Sequence, residues 1–431
     1  MTGCHECGRS GGFRSTLKRM TLQKNGNLLG SRFRYHPQIQ TRNTQAFGQT
    51  RAGRGRLPAC MFAIRKRCDK WGRPIMKPTF STARSATLLK RALLLAGAAS
   101  IAASPALAQE TLTVTAYSGP WEAAMRKCFF DPFAAETGTQ IVVETGTASV
   151  TFAKMRQQKD APTIDVAWLD AGYSEQAWQE GLTEAIDPAK VPNLANISQA
   201  AVYKTPEGQV YGVGTGYFSY TLAYDPKVVQ PAPTSWFDLW KPEYENRVYS
   251  PAPAQSLFTP LLMHLNKQLG GDNNNFEPII KKFSELKPSS YYEASGVMNV
   301  TIQSGEVVLG VYYPNTAWQL ADQGVSIATA TPKEGIVASD IRMHLVKGTK
   351  KQELAERFMN FVLQPEHLTC IAEEIYLGPP LDDAKLSEKA ASRMPWGAGG
   401  SVKDLILSDW NEVNAKRQQL RDLWMRQVVG K

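Results

Sequence analysis

The sequence predicts an α/β protein of two lobes joined by two chain crossings, and three observations carry that prediction. Strand-like and helix-like segments alternate from Thr111 onward, the order that builds a parallel sheet covered by helices. Residues 109–431 outrun the roughly 250–300 residues at which a single core stops growing. Two Gly- or Pro-bearing stretches, 212–216 and 330–335, have the composition of crossings between lobes.

The elements follow in order. Thr111 to Tyr117 alternates apolar and polar residues as a strand does, and Ser118-Gly119-Pro120 breaks it, with Pro120 suited to a first helical turn. Trp121, Met125, Cys128 and Phe129 recur at helical spacing, and Gly138 ends that unit. Gln140 to Glu144 reads as a second strand, Phe152 to Arg156 as a helix, and Ile164 to Leu169 as a third strand. A helix through Glu175 to Trp178 stops at Gly181. A β-rich run, Tyr217 to Tyr224, opens a different region, which ends in the strand Val307 to Tyr312. The C-terminal third is mainly helical, with Leu354, Phe358, Phe361 and Val362 on one face, a new helix at Pro365 and another from Trp410 to Val428. The expected organisation is lobe 1 over 109–216, lobe 2 over 217–330, and a return to lobe 1 with the C-terminal helices over 331–431.

Charge divides the chain. Of its 49 Lys+Arg and 39 Asp+Glu, residues 1–108 hold 20 and two, so 109–431 carry 29 against 37, a balance of −8. The overall +10 therefore belongs to the leader, and the acidic folded part is a poor partner for nucleic acid. Residues 76–108 read as a signal peptide: Met76-Lys77, the basic pair Lys90-Arg91, the apolar run 92–103, and Ala106-Leu107-Ala108 before Gln109. The run is short for a membrane span and is followed at once by Ser104-Pro105. Residues 1–75 are Arg- and Gly-rich without apolar periodicity, an expected untranslated or disordered extension with Met76 as the initiator. Cleavage near Ala108 and a periplasmic location are the expectation.

Removing the leader leaves Cys128 and Cys370, which an oxidising compartment favours pairing. Both fall in segments assigned to the first lobe. Cys128 also lies on the apolar face with Trp121 and Phe129, where a free thiol is equally at ease, so pairing stays open. Catalytic patterns are missing from residues 109–431: His264, His344 and His367 stand at no triad or metal-ligand spacing, and no G-x-S-x-G, H-E-x-x-H or P-loop occurs there.

Several motifs occur in a fixed order behind the export signal: Ala232 to Trp240 (APTSWFDLW), Ser304-Gly305-Glu306, Thr331 to Gly335 (TPKEG), Lys347 to Lys351 (KGTKK) before Ala355 to Phe358, and Gly378-Pro379. In these the chain resembles the extracytoplasmic solute-binding proteins of ATP-driven importers, the type that includes spermidine/putrescine-binding proteins. The resemblance implies a type 2 periplasmic-binding fold, a ligand cleft between lobes, and no enzymatic activity or cofactor. It also implies a monomer that takes up a small-molecule ligand and presents it to an ABC transporter permease in the inner membrane. Tyr117, Ser118 and Trp121 stand where the family places first-lobe contacts.

Ligands of open α/β sheets sit beyond the carboxyl ends of strands, which here bring Asp170, Tyr313 and Asn315, with Tyr217 beyond the first crossing. Asp170 is equally placed to cap the next helix. Polyamine binders carry an aromatic and then an Asp two residues later after the TPKEG motif. Those positions are Ser339 and Ile341 here, with Asp340 displaced between them as the candidate carboxylate. The expected solute is small, polar and organic, a polyamine or another amine. A ferric-ion binder using the adjacent Tyr312 and Tyr313 is a second reading, and a secreted enzyme on the same two lobes a third.

Overall fold

The structure, a computed structural model, describes residues 109–430; the leader and the segment before it lie outside the described residues. Strand β1 (Thr111–Ala116) runs parallel to β2 (Gln140–Thr145) on one side and β3 (Val166–Asp170) on the other. Between β1 and β2 the chain forms α1 (Pro120–Met125), a wide turn over Arg126–Phe130, and α2 (Asp131–Thr137). Pro120 opens α1, and Gly138 closes α2 with the positive φ (73°) that glycine adopts without a Cβ penalty. Helix α3 (Ala148–Gln157) starts at Thr147, whose hydroxyl accepts the Val150 N–H, and α4 (Ala171–Gln179) follows directly on β3. Strands β4 (Thr183–Glu184), β5 (Val202–Lys204) and β6 (Val210–Ser219) complete this first pass.

The chain enters a second sheet only at β7 (Thr221–Tyr224), followed by β8 (Val248–Pro251); the expected crossing at 212–216 and the residues 217–219 expected in lobe 2 lie instead inside β6 of the first sheet. Helices α5 (Phe258–Gln268) and α6 (Glu277–Ser284), strand β9 (Ser290–Tyr292), helix α7 (Ser295–Gln303), strand β10 (Leu309–Tyr312), helix α8 (Pro314–Asp322) and strand β11 (Ala328–Ala330) follow. Its strand order is β11-β7-β10-β8-β9. The return passes through β12 (Ile336–Val346), α9 (Gln352–Val362), α10 (Pro365–Ile375), α11 (Glu388–Ala391), β13 (Leu405–Leu407) and α12 (Trp410–Trp424).

Strand β12 reshapes the first sheet. It inserts between β3 and β6, antiparallel to both, and gives the order β2-β1-β3-β12-β6-β5, with β4 and β13 also pairing β12. The parallel sheet expected from the alternation therefore holds for β2-β1-β3 and β13, and the centre is mixed. All 11 residues of β12 are buried, so its sequence shows no apolar–polar alternation by which to recognise it.

The crossings are tied together. The Thr221 hydroxyl donates to the Ala330 carbonyl at 2.8 Å. Trp236, fully buried, donates its indole N–H to the Gly335 carbonyl at 3.0 Å, and the Glu334 carboxylate accepts from Ser235 and from the Trp236 backbone N–H. These bonds give the APTSWFDLW and TPKEG motifs one shared structural task. In the first lobe Cys128 and Cys370 form a disulfide with their Cα atoms 5.6 Å apart, joining the turn after α1 to α10. Both ends belong to the helical layer on the first sheet, so the bond leaves movement between the lobes free.

Helix α12 joins the two lobes. Its first turns rest on α4: Gly172 meets the Trp410 ring so closely that a Cβ would come within 2.8 Å, and the Asn414 amide donates to the Gly172 carbonyl at 2.8 Å. Its far end belongs to the second lobe, where Trp424 is buried among Phe258, Phe283 and Tyr291 at ring distances of 4.8, 5.0 and 4.9 Å. Glu412 accepts from Asn273 in the polar loop before α6. Aromatic burial of this kind contributes about 2–3 kcal/mol per side chain, enough to hold the helix against both lobes.

Candidate solute-binding cleft

Because β1 and β3 are parallel neighbours, their carboxyl ends emerge at one edge, and they place Tyr117 and Asp170 side by side. The Tyr117 hydroxyl donates to the Asp170 carboxylate at 2.6 Å. Asp170 occupies the N-cap position of α4, yet its side chain makes no capping bond; the carboxylate is turned to the cleft instead. The Ser256 hydroxyl, from the opposite lobe, lines the same cavity and favours the ionised form of that carboxyl. Burial pushes the Asp170 carboxyl up from its ordinary value, against the pull of the Tyr117 and Ser256 hydroxyls and of the Arg417 charge.

The second lobe supplies the facing wall. Tyr313 precedes α8, and its hydroxyl donates to the Gln255 side-chain carbonyl at 3.0 Å; burial holds that phenol up at about 12. Asn315, in the first turn of α8, is 3% exposed, and its side-chain oxygen has no partner among the described residues. Together with Phe218 and Ile341 on the first lobe and Glu293 on the second, these residues enclose a cavity of about 420 Å³. That volume, lined from both lobes, suits a small organic solute.

Five of the sequence candidates meet in this cavity: Tyr117, Trp121, Asp170, Tyr313 and Asn315. Trp121 serves twice, packing on the core and tilting against Tyr117 with ring centroids 5.3 Å apart. Ser118 does not line it; it is exposed in the turn before α1. Tyr217 and Asp340 require correction. They are cross-strand partners on β6 and β12, and their neighbours Phe218 and Ile341 face the cavity. With a side-chain period of two, Tyr217 and Asp340 point to the opposite face. There Asp340 accepts from Arg342 Nε at 3.0 Å, and the guanidinium also reaches Glu175 at 2.8 Å and stacks on Tyr203 at 3.2 Å. The one-residue displacement after the TPKEG motif thus turns the carboxylate from ligand space into a structural ion pair.

The same alternation divides Tyr312 from Tyr313. Tyr312 is buried behind the sheet, donating to the Ser295 carbonyl at 2.8 Å, while Tyr313 reaches the cavity. The adjacent phenols do not converge, and the ferric reading loses the observation that carried it. Each histidine of the described residues is occupied away from the cavity: His264 at the Glu334 carbonyl, His344 at the Tyr211 carbonyl, His367 against Phe361.

Sequence reasoning missed several lining residues. Thr147 to Ser149, Gln255, Ser256 and Ser295 are small or neutral residues at helix starts and turns, a composition shared with any surface loop. Glu293 gives no local sign of its position. Arg417 is the largest omission. It lies mid-way along α12, lines the cavity, and makes one long hydrogen bond, to Asn414 at 3.3 Å. Its Nε is buried without a partner, and burial lowers its pKa from the ordinary arginine value.

The bacterial extracellular solute-binding protein profile matches residues 161–401, more than half of the chain. The chain belongs to that family. This solute-binding protein is 26% identical to the spermidine/putrescine-binding periplasmic protein of Escherichia coli (strain K12), an alignment covering 79% of this chain and 99% of the relative. It is 28% identical to a gamma-aminobutyric acid-binding protein of Pseudomonas aeruginosa, over 67% of this chain and 81% of that one. Among solved structures it superposes on an ABC transporter protein from Clostridium perfringens with a TM-score of 0.62 and 25% identity, covering 74% of this chain and 99% of the other. The molecule is therefore a two-lobed, type 2 solute-binding component of an ABC transporter, in a family of binding proteins rather than enzymes.

Proposed function

We propose that this protein captures a small, polar, amine-bearing solute in the periplasm and delivers it to the inner-membrane permease of an ABC importer. One observation carries the reading: the Asp170 carboxylate, half-buried, held by Tyr117 from its own lobe and facing a cavity that Ser256 lines from the other, is positioned to receive an ammonium between the lobes. A cation withdrawn from water needs a carboxylate partner, and the aromatic rings of Tyr117, Trp121 and Tyr313 favour both the charge and the methylenes beside it. Asn315 adds a vacant acceptor oxygen on the opposite wall. The relatives that bind spermidine, putrescine or gamma-aminobutyric acid support an amine, the group common to those solutes.

Capture is coupled to closure, since contacts divided between lobes favour the closed state by their differential affinity. The protein acts as a monomer after export removes the chain through Ala108, and N-terminal sequencing of the periplasmic form should begin at or near Gln109. Calorimetric titration with spermidine, putrescine and 4-aminobutanoate, paired with small-angle scattering, tests the function. Binding of at least one amine with a smaller radius of gyration supports it. Saturable binding with an unchanged radius argues against a closing cleft, and no binding of any amine removes the amine reading.

A further inference from the structure

Arg417 is a cation in a cleft that offers its ligand a carboxylate, and although the two feel each other's charge they are not in contact: among the described residues Arg417 forms no ion pair with Asp170 or with any other acid. Its surroundings are the Tyr173 ring, 5.7 Å from the guanidinium carbon, the Asn414 side chain and the close-packed Gly172. A guanidinium taken largely out of water without a counter-ion is costly, and its planar fork matches a carboxylate or phosphonate. The cost is met when a ligand brings the anion.

We propose that the solute is a zwitterion, an aminocarboxylate or aminophosphonate whose ammonium is held at Asp170 and whose anionic group is held by Arg417, so that Arg417 excludes plain diamines and polyamines. This rests on the amine-binding reading above and narrows it. Two elements place the charges independently: Asp170 comes from the end of β3, whereas Arg417 comes from α12, the helix whose ends are fixed to different lobes. An anion on Arg417 is therefore in contact with the element that spans the cleft, and recognition of the second charge reports directly on lobe arrangement. Repulsion from Arg417 costs a diamine one of its two ammonium sites, which is discrimination by an unfavourable contact as well as by a favourable one.

The test uses the purified protein and matched pairs of probes: aminocarboxylates of three to six carbons, both α- and ω-amino, 2-aminoethylphosphonate, and the diamines of the same lengths. Each is titrated into wild type, Arg417→Gln, Arg417→Lys and Asp170→Asn, with the unliganded thermal midpoint as the control for folding. At least one zwitterion should bind wild type roughly tenfold or more tightly than its diamine counterpart. Arg417→Gln should lose that preference or reverse it, Arg417→Lys should keep part of it, and Asp170→Asn should weaken both classes. An arginine that merely supports the helix would lower both affinities together, and that result overturns the proposal. So does a wild type that binds diamines as well as zwitterions, or no zwitterion at all. Diamine binding that depends on Asp170 ends the zwitterion inference while leaving the amine-binding cleft intact. If neither class binds, and the solute retained on purification, read by native mass spectrometry, carries no amine, both readings fall.

Discussion

Arg342 and Arg417 are both withdrawn from water in or beside the first lobe, one behind the sheet and one in the cleft, and their surroundings differ. Arg342 is answered at two nitrogens and across its face: Asp340 at Nε, Glu175 and Ser174 at Nη1, and the Tyr203 ring over the plane. Although burial alone would lower its pKa, Asp340, Tyr203 and Glu175 hold it above the ordinary value. Arg417 has Asn414 at 3.3 Å and an unpartnered Nε, and its pKa is lowered by burial. A satisfied buried charge is part of the fold's own balance, whereas an unsatisfied one in a cavity wall is held in readiness for something from outside. The same contrast separates the carboxylates: Asp340 is committed to Arg342, while Asp170 accepts the Tyr117 hydroxyl and keeps capacity for a ligand.

The largest expected effect comes from breaking the satisfied site. Arg342→Met leaves Asp340 and Glu175 without their cation and should cost about 3–5 kcal/mol in urea unfolding. Arg417→Met should leave stability unchanged or raise it. Equal losses for the two variants would erase the distinction drawn here. Asp340→Asn belongs with the first: lower stability, with solute affinity unaltered.

The next effect concerns His344, on the same face as Arg342, where burial lowers the imidazole to about 4 while its Nδ1 bonds the Tyr211 carbonyl at 2.8 Å. The unfolded chain takes up this proton below about 6.5 and the native protein below about 4, so stability rises with pH across that window and falls on acidification through it. The contribution is about 2–3 kcal/mol between pH 7 and 4.5. His344→Gln should flatten that part of the unfolding-midpoint profile; an unchanged slope would show that the ring titrates normally.

Asp170 has the opposite sign. Its raised pKa means that the native protein binds this proton more tightly than the unfolded chain, so ionising it costs stability as pH rises through the native value. Asp170→Asn should therefore hold or improve the stability of the unliganded protein while weakening amine binding by tenfold, about 1.4 kcal/mol, or more. Wild-type affinity should fall as the carboxyl is protonated, and the variant should show no such fall. Loss of unliganded stability in Asp170→Asn would class this carboxylate with Asp340.

The smallest effect is at Asp322, at the end of α8, whose carboxylate meets Tyr376 at 2.6 Å and Arg393 and Lys389 from the return segment. Burial opposes, but these partners hold it down at about 2, so its contribution is present above the ordinary carboxylate pKa and is lost as pH falls from there through about 2. With the side chain 34% exposed, Asp322→Asn should cost less than about 1 kcal/mol, and less again at high salt. A larger, salt-insensitive loss in urea unfolding would move this group into the class of Arg342.

What the sequence determined by itself was local. The strand–helix alternation gave β1 to β3 and their helices, because period and turn chemistry are written in neighbouring residues. Strand ends in a parallel sheet gather at one edge, which is why Tyr117, Asp170, Tyr313 and Asn315 could be named in advance as cavity-lining residues. The tertiary structure decided the rest. Strand β12 hides in the sequence because both its faces are buried, and its register against β6 is what turns Tyr217 and Asp340 away while Phe218 and Ile341 face the cleft. One residue of displacement reverses a side chain's face, and that displacement is measured against a partner strand more than a hundred residues away. The pairing of Cys128 with Cys370, 242 residues apart, and the arrival of Arg417 in the cavity have the same origin. An amphipathic pattern states that a helix such as α12 has a buried side, but which lobe receives each end is fixed by packing between Trp410, Trp424 and surfaces distant in the chain.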